Sequence, residues 1–387
     1  MPPDSFEDKP KPETIGNCYN CAYEIERNYE LRGLNNELYC EDCYYERYTS
    51  CESCGDSIET DSSSCDRDGY SYCDYCWNER HENVDLNSFD NSLSVYNPPE
   101  STTFEHNKFE RFVGVEIENI GPRDYNPHGK PDSFYTSSDG SVCTSDEDYG
   151  GYEFISQPMC GDTLFSEIDK MGAWLRSQAF RINKTCGLHI HIDARDLYYK
   201  ELKGIMLVTK AFESTIFSML PSRRYNSNWC KGINMSVNSI KALQSDSHFI
   251  DSYYNHCDEY PSLDKYNDAR YQGLNLHARV YLGTIEFRYH SGTNNPTKIK
   301  NWITMCQSIV EKGIALSREF DKKPEDWDAN THLLMNADGD LGLQAFIEIL
   351  ELDAIKDYII RRVRKFDRPS TEASRQYISN ESNSSYV

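Results

Sequence analysis

Four closely spaced cysteine pairs near the start of the chain constrain its fold more than any other feature. They are Cys18 and Cys21, Cys40 and Cys43, Cys51 and Cys54, and Cys73 and Cys76, so that C-x2-C-x18-C-x2-C is written twice with a period of 33 residues. Two intervening residues let both thiolates of a pair reach one ion, and a second pair completes the tetrahedron that zinc accepts. Each repeat is therefore expected to close on its own structural Zn2+, with no position left open for water or substrate. Other positions repeat as well: Ile25 matches Ile58, Tyr39 matches Tyr72, and Glu46-Arg47 matches Glu79-Arg80. This points to a duplicated fold and not only duplicated ligands. Cys65 has no counterpart in the first repeat and is not expected to be a ligand. The competing reading is a disulfide framework, but that requires an oxidising compartment, and residues 1–12 show no basic-then-apolar leader pattern.

Charge narrows the partners. Residues 1–100 hold 23 acidic against 7 basic side chains, while the remainder holds 40 against 33. A phosphate backbone demands a basic footprint, so the cysteine-rich region is expected to meet a protein or peptide, not nucleic acid. No apolar run approaches the length needed to cross a bilayer, and the chain is expected to stay in the compartment that made it, the cytoplasm. Hydrophobic residues at 38% and aromatic residues at 13% supply material for a packed interior. A length of 387 residues exceeds what one core normally spans. We expect a flexible N-terminus at 1–15, the double four-cysteine module at 16–82, a linker rich in Asn, Ser, Asp and Pro at 83–103, a large domain at 104–365 and a flexible tail at 366–387.

In the large domain the chemistry rides on period-two alternation. FVGVEIE at 112–118 puts Val113, Val115 and Ile117 on one strand face and Phe112, Gly114, Glu116 and Glu118 on the other. LHIHID at 188–193 sets Leu188, Ile190 and Ile192 against His189, His191 and Asp193, and TIEFRYH at 284–290 sets Ile285, Phe287 and Tyr289 against Thr284, Glu286, Arg288 and His290. A shorter run at 152–155 contributes Glu153. Any one of these could be an ordinary sheet with one face in water. A merely solvated face would hold mostly Lys, Thr, Ser and Gln, whereas these hold Glu, His and Arg, the groups that bind divalent metals and phosphates. Clustered carboxylates repel one another unless a cation neutralises them. Helices are expected at 162–180, 197–220, 296–316 and 341–363. The fold class is therefore α+β: an antiparallel or mixed sheet with helices on one face, its acidic, histidine-bearing face open as the floor of a metal and nucleotide site.

Taken in order, GVEIE (114–118), SDGS with GYEFISQP (138–158), CGLHIHID (186–193), PSRR (221–224), RYQGLN (270–275) and TIEFRYHSGT (284–293) resemble the amidoligase family. These are carboxylate-amine ligases with a glutamine synthetase-like catalytic fold, and the likeness runs from about 104 to about 365. The resemblance implies ATP-dependent formation of an amide or isopeptide bond, in which a substrate carboxylate takes the γ-phosphoryl group and an amine attacks the acyl phosphate. It implies Glu116, Glu118, Glu153, His191 and Glu286 as Mg2+ ligands, with His189 a ligand or a nucleotide contact. It implies Arg288 as the grip on the transferred phosphate, and Arg224 and Arg270 as contacts to ATP phosphates or the substrate carboxylate. Asn275 is a nucleotide contact or a turn residue. The cysteine-rich module loosely resembles tandem treble-clef or LIM-like fingers, although a LIM domain has a shorter linker and usually a histidine ligand. That likeness implies recruitment of a protein or peptide substrate, with a small-molecule amine or carboxylate as the other candidate.

Competing readings come from other classes. The chain could be a non-catalytic nucleotide-binding adaptor acting through its zinc module, or a metal-dependent hydrolase using the same carboxylates and histidines to activate water. Arg223 and Arg224 could complement a helix dipole. Cys186, beside the histidines, could be a nucleophile, or a small side chain packing before Gly187.

Overall fold

The computed structural model describes residues 14–27, 31–65, 71–81, 111–138, 140–225 and 227–366, with Ser374 and Tyr377. The segments expected to be flexible at 1–15 and 366–387 and the linker expected at 83–103 fall, but for a few residues, outside those described. The chain divides into two units, residues 1–83 and 84–387.

Each repeat of the first unit folds into two hairpins and a helix. In the first repeat Thr14–Asn17 pairs with Glu24–Glu26, Leu31–Arg32 pairs with Leu38–Tyr39, and the helix is Glu41–Arg47. In the second, Tyr48–Ser50 pairs with Ser57–Glu59, Ser64–Cys65 pairs with Ser71–Tyr72, and the helix is Asp74–His81. The chain turns sharply after each leading cysteine pair because the next residue is left-handed: Ala22 at φ 60° and Gly55 at φ 77°. Their amides donate to the carbonyls of Cys18 and Cys51 at 2.9 and 2.8 Å. Only small apolar clusters support these repeats, Cys18, Ile25, Tyr39 and Tyr48 in one and Cys51, Tyr72 and Cys76 in the other. Cores of that size contribute little stability by themselves, the situation in which small domains commonly rely on bound metal or disulfides.

The second unit is built on one sheet. Its strands are β1 (Val113–Pro122), β2 (Phe134–Ser138), β3 (Tyr149–Ser156), β4 (Leu188–Asp193), β5 (Leu274–Asn275) and β6 (Thr284–Phe287). The order is β2-β3-β1-β4-β6-β5, antiparallel at every pairing. Register decides what meets. Glu153 lies opposite Glu118, Glu116 opposite His189, and Glu286 opposite both His191 and Asn275. Because side chains alternate, all of these project from one face.

The other face is mainly apolar, with Asn119 and Ser156 as its buried polar members. Val113, Val115, Ile117, Leu188, Ile190, Ile192, Ile285 and Phe287 are fully buried. They share one core with the helices α1 (Gly161–Ser177), α2 (Tyr199–Ser218) and α3 (Pro296–Ser317). Removing each such side chain from water stabilises the unit by roughly 1.5–3 kcal/mol. Helices α2 and α3 touch at glycines, for a Cβ on Gly204 would lie 2.1 Å from the Gly313 carbonyl oxygen.

Two expectations need correction. The helix expected over 341–363 is two helices, α4 (Gly342–Ile349) and α5 (Lys356–Phe366). Glu351 takes a left-handed conformation at φ 54°, and the amides of Glu351 and Leu352 donate to the carbonyls of Glu348 and Ile347. This is a Schellman stop, held by the buried Leu352. The polar face is also not open: Glu286 is 2% exposed and His191 8%. Residues 227–231 close over one end, where the Trp229 carbonyl accepts from Arg288 Nε at 3.3 Å. Among the described residues no helix is long and apolar enough to cross a membrane.

Candidate functional site

Neighbouring strands bring four carboxylates and two imidazoles into one continuous row. His189 Nδ1 is 3.0 Å from Glu116 and 3.4 Å from Glu286, and its Nε2 is 3.5 Å from Glu118. His191 Nε2 is 3.2 Å from Glu116 and 3.8 Å from Glu286, while its Nδ1 bonds the Thr284 hydroxyl at 2.8 Å. Glu286 is itself fixed from two sides: Asn275 Nδ2 donates to one oxygen at 2.6 Å and Arg288 donates to the other. Glu118 accepts the Gly187 amide at 2.5 Å. Position 187 must be glycine, since a Cβ there would come within 2.8 Å of the His189 ring.

The field of the row follows from this packing. Burial pushes the Glu116 carboxyl up, but the charges of His191 and His189 hold it well below the usual carboxylate range. Burial likewise opposes ionisation of Glu286, and Arg288, His191 and His189 overcome it. The His191 imidazole is depressed by burial and raised on balance by Glu116 and Glu286. Arg288 is held above its ordinary value by Glu286, Glu116 and Glu118, against the effect of burial. Glu116 and Glu286 are therefore in the ionised, ligand-ready form.

The donor atoms fit cations. Glu116, His191 and Glu286 form one group, and Glu116, Glu153 and His189 another, with the donor atoms of each within 4.8 Å of one another. Glu116 belongs to both. His191 Nε2 is buried and faces Glu116 at 3.2 Å, an ion-pair distance when the ring is protonated. Mixed carboxylate and imidazole donors suit a divalent cation.

Two cavities flank the row along the strand direction. One, about 330 Å³, is lined by Glu118 and His189 with Lys184, Arg223, Arg224 and Arg288. The other, about 410 Å³, is lined by Glu116 and His191 with Phe112, Tyr135, Ile155, Pro158 and Leu282, and with Ser156, Gln157, Asp193, Arg195 and Thr284. Arg224 is buried, and its guanidinium also donates to the carbonyls of Tyr289, at 2.9 Å, and Arg288. Asn275 is fully buried; besides orienting Glu286, its carbonyl caps the Ala278 amide at 3.3 Å. Arg270 lines neither cavity and lies over the rings of Tyr266 and Tyr271 at 5.5 and 5.3 Å. Cys186 also lines neither. Burial pushes its thiol up to about 11, which removes the thiolate a nucleophile needs. Its Cβ packs where Gly292 leaves room. Sequence reasoning did not single out Lys184 or Trp229, which lie outside any alternating strand; Thr284, bonded to His191, was visible in the alternation of its strand.

In the first unit the cysteines gather as the repeat requires, into Cys18, Cys21, Cys40 and Cys43 and into Cys51, Cys54, Cys73 and Cys76. These eight thiols are free, and Cys21 and Cys40 sulfurs are 3.6 Å apart, Cys54 and Cys73 sulfurs 4.0 Å. A disulfide would bring sulfurs to about 2.05 Å, whereas a tetrahedron with zinc–sulfur bonds of about 2.3 Å has edges near 3.8 Å. Burial raises the Cys18 thiol, but the amides of Cys40, Cys21 and Asn20 bring it down to about 6, and those of Cys54, Cys73 and Ser53 do the same for Cys51. Both clusters can hold a structural zinc ion, and their sulfur spacing fits that tetrahedron better than a disulfide.

The second unit is thus an α+β domain with a buried carboxylate and imidazole row between two cavities. The model of a family described as "putative amidoligase enzyme" matches residues 57–310. That is more than half of the chain, which therefore belongs to this family. The match begins inside the second cysteine repeat and ends in α3, so its span is displaced towards the N-terminus from the likeness read at 104–365. No curated protein matches the chain.

Proposed function

We propose that the protein is an ATP- and Mg2+-dependent carboxylate-amine ligase that forms an amide or isopeptide bond through an acyl phosphate. The observation that carries this reading is the row itself: two cation-capable groups sharing Glu116, with a basic cavity at one end and a second cavity at the other. The all-antiparallel sheet with ligands on adjacent strands is compatible with the glutamine synthetase-like fold that the family likeness implies. Bound Mg2+ would supply charge that neutralises phosphate oxygens and polarises the γ-phosphorus.

The chain's own residues do the rest. Glu116, Glu153, His189, His191 and Glu286 would hold the cations, with Glu118 beside His189 as a further carboxylate. Lys184, Arg223 and Arg224 accept the phosphates, and the guanidinium fork of Arg288, fixed by Glu286 and the Trp229 carbonyl, faces the oxygens of the group in transfer. A carboxylate oxygen attacks the γ-phosphorus and the bond to ADP breaks. The amine nitrogen then attacks the acyl carbon, loses a proton, and inorganic phosphate leaves. The acidic four-cysteine unit is read as recruiting a basic or neutral protein or peptide substrate.

Trapping with hydroxylamine tests this without knowledge of the amine. ATP, MgCl2, hydroxylamine and a panel of carboxylic acids are expected to yield hydroxamate and ADP in equal amounts. Glu286→Gln and Arg288→Lys are each expected to slow this roughly 10²–10³-fold. Turnover indifferent to both substitutions would overturn the site, and ATP-independent cleavage of an amide would favour a hydrolase.

A further inference from the structure

The two cavities at the ends of the polar row differ in chemistry, and the difference constrains the substrate. Along β1 the apolar cavity begins at Gly114 and Glu116 and the basic one at Glu118, and no lining residue belongs to both. A triphosphate needs cations and cannot be accommodated by apolar walls. That places it with Lys184, Arg223, Arg224 and Arg288. In-line phosphoryl transfer sets the attacking oxygen opposite the leaving ADP. The attacking carboxylate must then approach from the far side of the row, through the cavity of about 410 Å³.

Phe112, Tyr135, Ile155, Pro158 and Leu282 form the apolar walls of that cavity, and Ser156, Gln157 and Thr284 add uncharged polar groups but no cation. Its one arginine, Arg195, is held by both oxygens of Asp193 at 2.8 Å, so the pair presents no net charge to a second carboxylate or an ammonium group. Gly114 sits on the floor. A Cβ there would meet only the His191 Cβ, at an ordinary 3.5 Å, so packing does not require glycine and its effect is to leave the cavity deep. We propose that the acyl substrate of this chain is a carboxylic acid with an apolar body, aliphatic or aromatic, seated in this cavity with its carboxylate at the Glu116 and His191 end. This rests on the ligase reading above.

Calorimetry on the full chain, saturated with Mg2+ and the non-hydrolysable nucleotide AMP-PNP, tests it. 4-Phenylbutyrate is expected to bind roughly a hundredfold tighter than glutarate, because only the former buries apolar surface. Gly114→Leu, which fills the cavity, and Leu282→Asp, which charges its rim, are each expected to abolish phenylbutyrate binding while AMP-PNP still binds. Glutarate binding as tightly as phenylbutyrate, no binding by either acid, or phenylbutyrate affinity unchanged in Gly114→Leu would overturn the inference and leave the ligase reading standing. Failure of AMP-PNP to bind the unaltered chain would instead overturn the ligase reading, and this inference with it.

Discussion

Glu286 illustrates how much of the site depends on one side chain being held still. Asn275 and Arg288 pin its two oxygens while His191 and His189 face it. Losing a partner that orients a ligand typically costs 10- to 100-fold in metal affinity. Asn275→Ala is therefore expected to weaken Mn2+ binding, followed by electron paramagnetic resonance, by about that factor. The same titration should be pH-dependent. His191 must be neutral to act as a ligand and its value is raised by Glu116 and Glu286, so affinity should fall as pH drops through that raised value and recover above it. The glutamates and histidines of the row were legible in the sequence because a strand's period of two sorts them onto one face whatever the sheet's topology. Lys184 and Trp229 were not, since loop residues obey no spacing rule, and Arg270 shows the converse: a residue inside a family-like motif that lines neither cavity.

At the scale of elements, strands β1, β3, β4 and β6 follow the alternation closely, as do α1, α2 and α3. The edge strands β2 and β5 escaped because β2 reads FYTSS, with no apolar residue alternating through it, and β5 has only two residues. The split of the last expected helix escaped for a different reason: Glu351 is a good helix former, and only the burial of Leu352 forces the left-handed turn. A non-glycine residue in that conformation costs about 1 kcal/mol. Glu351→Gly is therefore expected to stabilise the unit by roughly that amount in urea unfolding; a loss of stability would mean that the Schellman stop is misassigned.

For the whole molecule, the acidity and the chemistry lie in different units. The first unit has small apolar clusters and two four-cysteine groups able to hold zinc, so its fold is expected to depend on metal. Native mass spectrometry should find two zinc ions per chain. Chelation should expose the amides of residues 14–81 to hydrogen exchange while those of β1 and β4 stay protected, because the large apolar core contains no zinc ligand. If charge drives recruitment, affinity for a lysine-rich peptide should fall steeply as ionic strength rises. Cysteine spacing made the metal sites of this unit legible; what binds its surface is set by side chains with no comparable rule.

The central claim is that the polar row is a cation-dependent nucleotide site. Its most direct test is titration of AMP-PNP into the zinc-loaded protein with and without Mg2+, for the unaltered chain and for Glu286→Gln. The account predicts binding that requires Mg2+ and is lost or weakened at least tenfold in the variant. Equal affinity without a divalent cation, or an affinity that ignores Glu286, would contradict it.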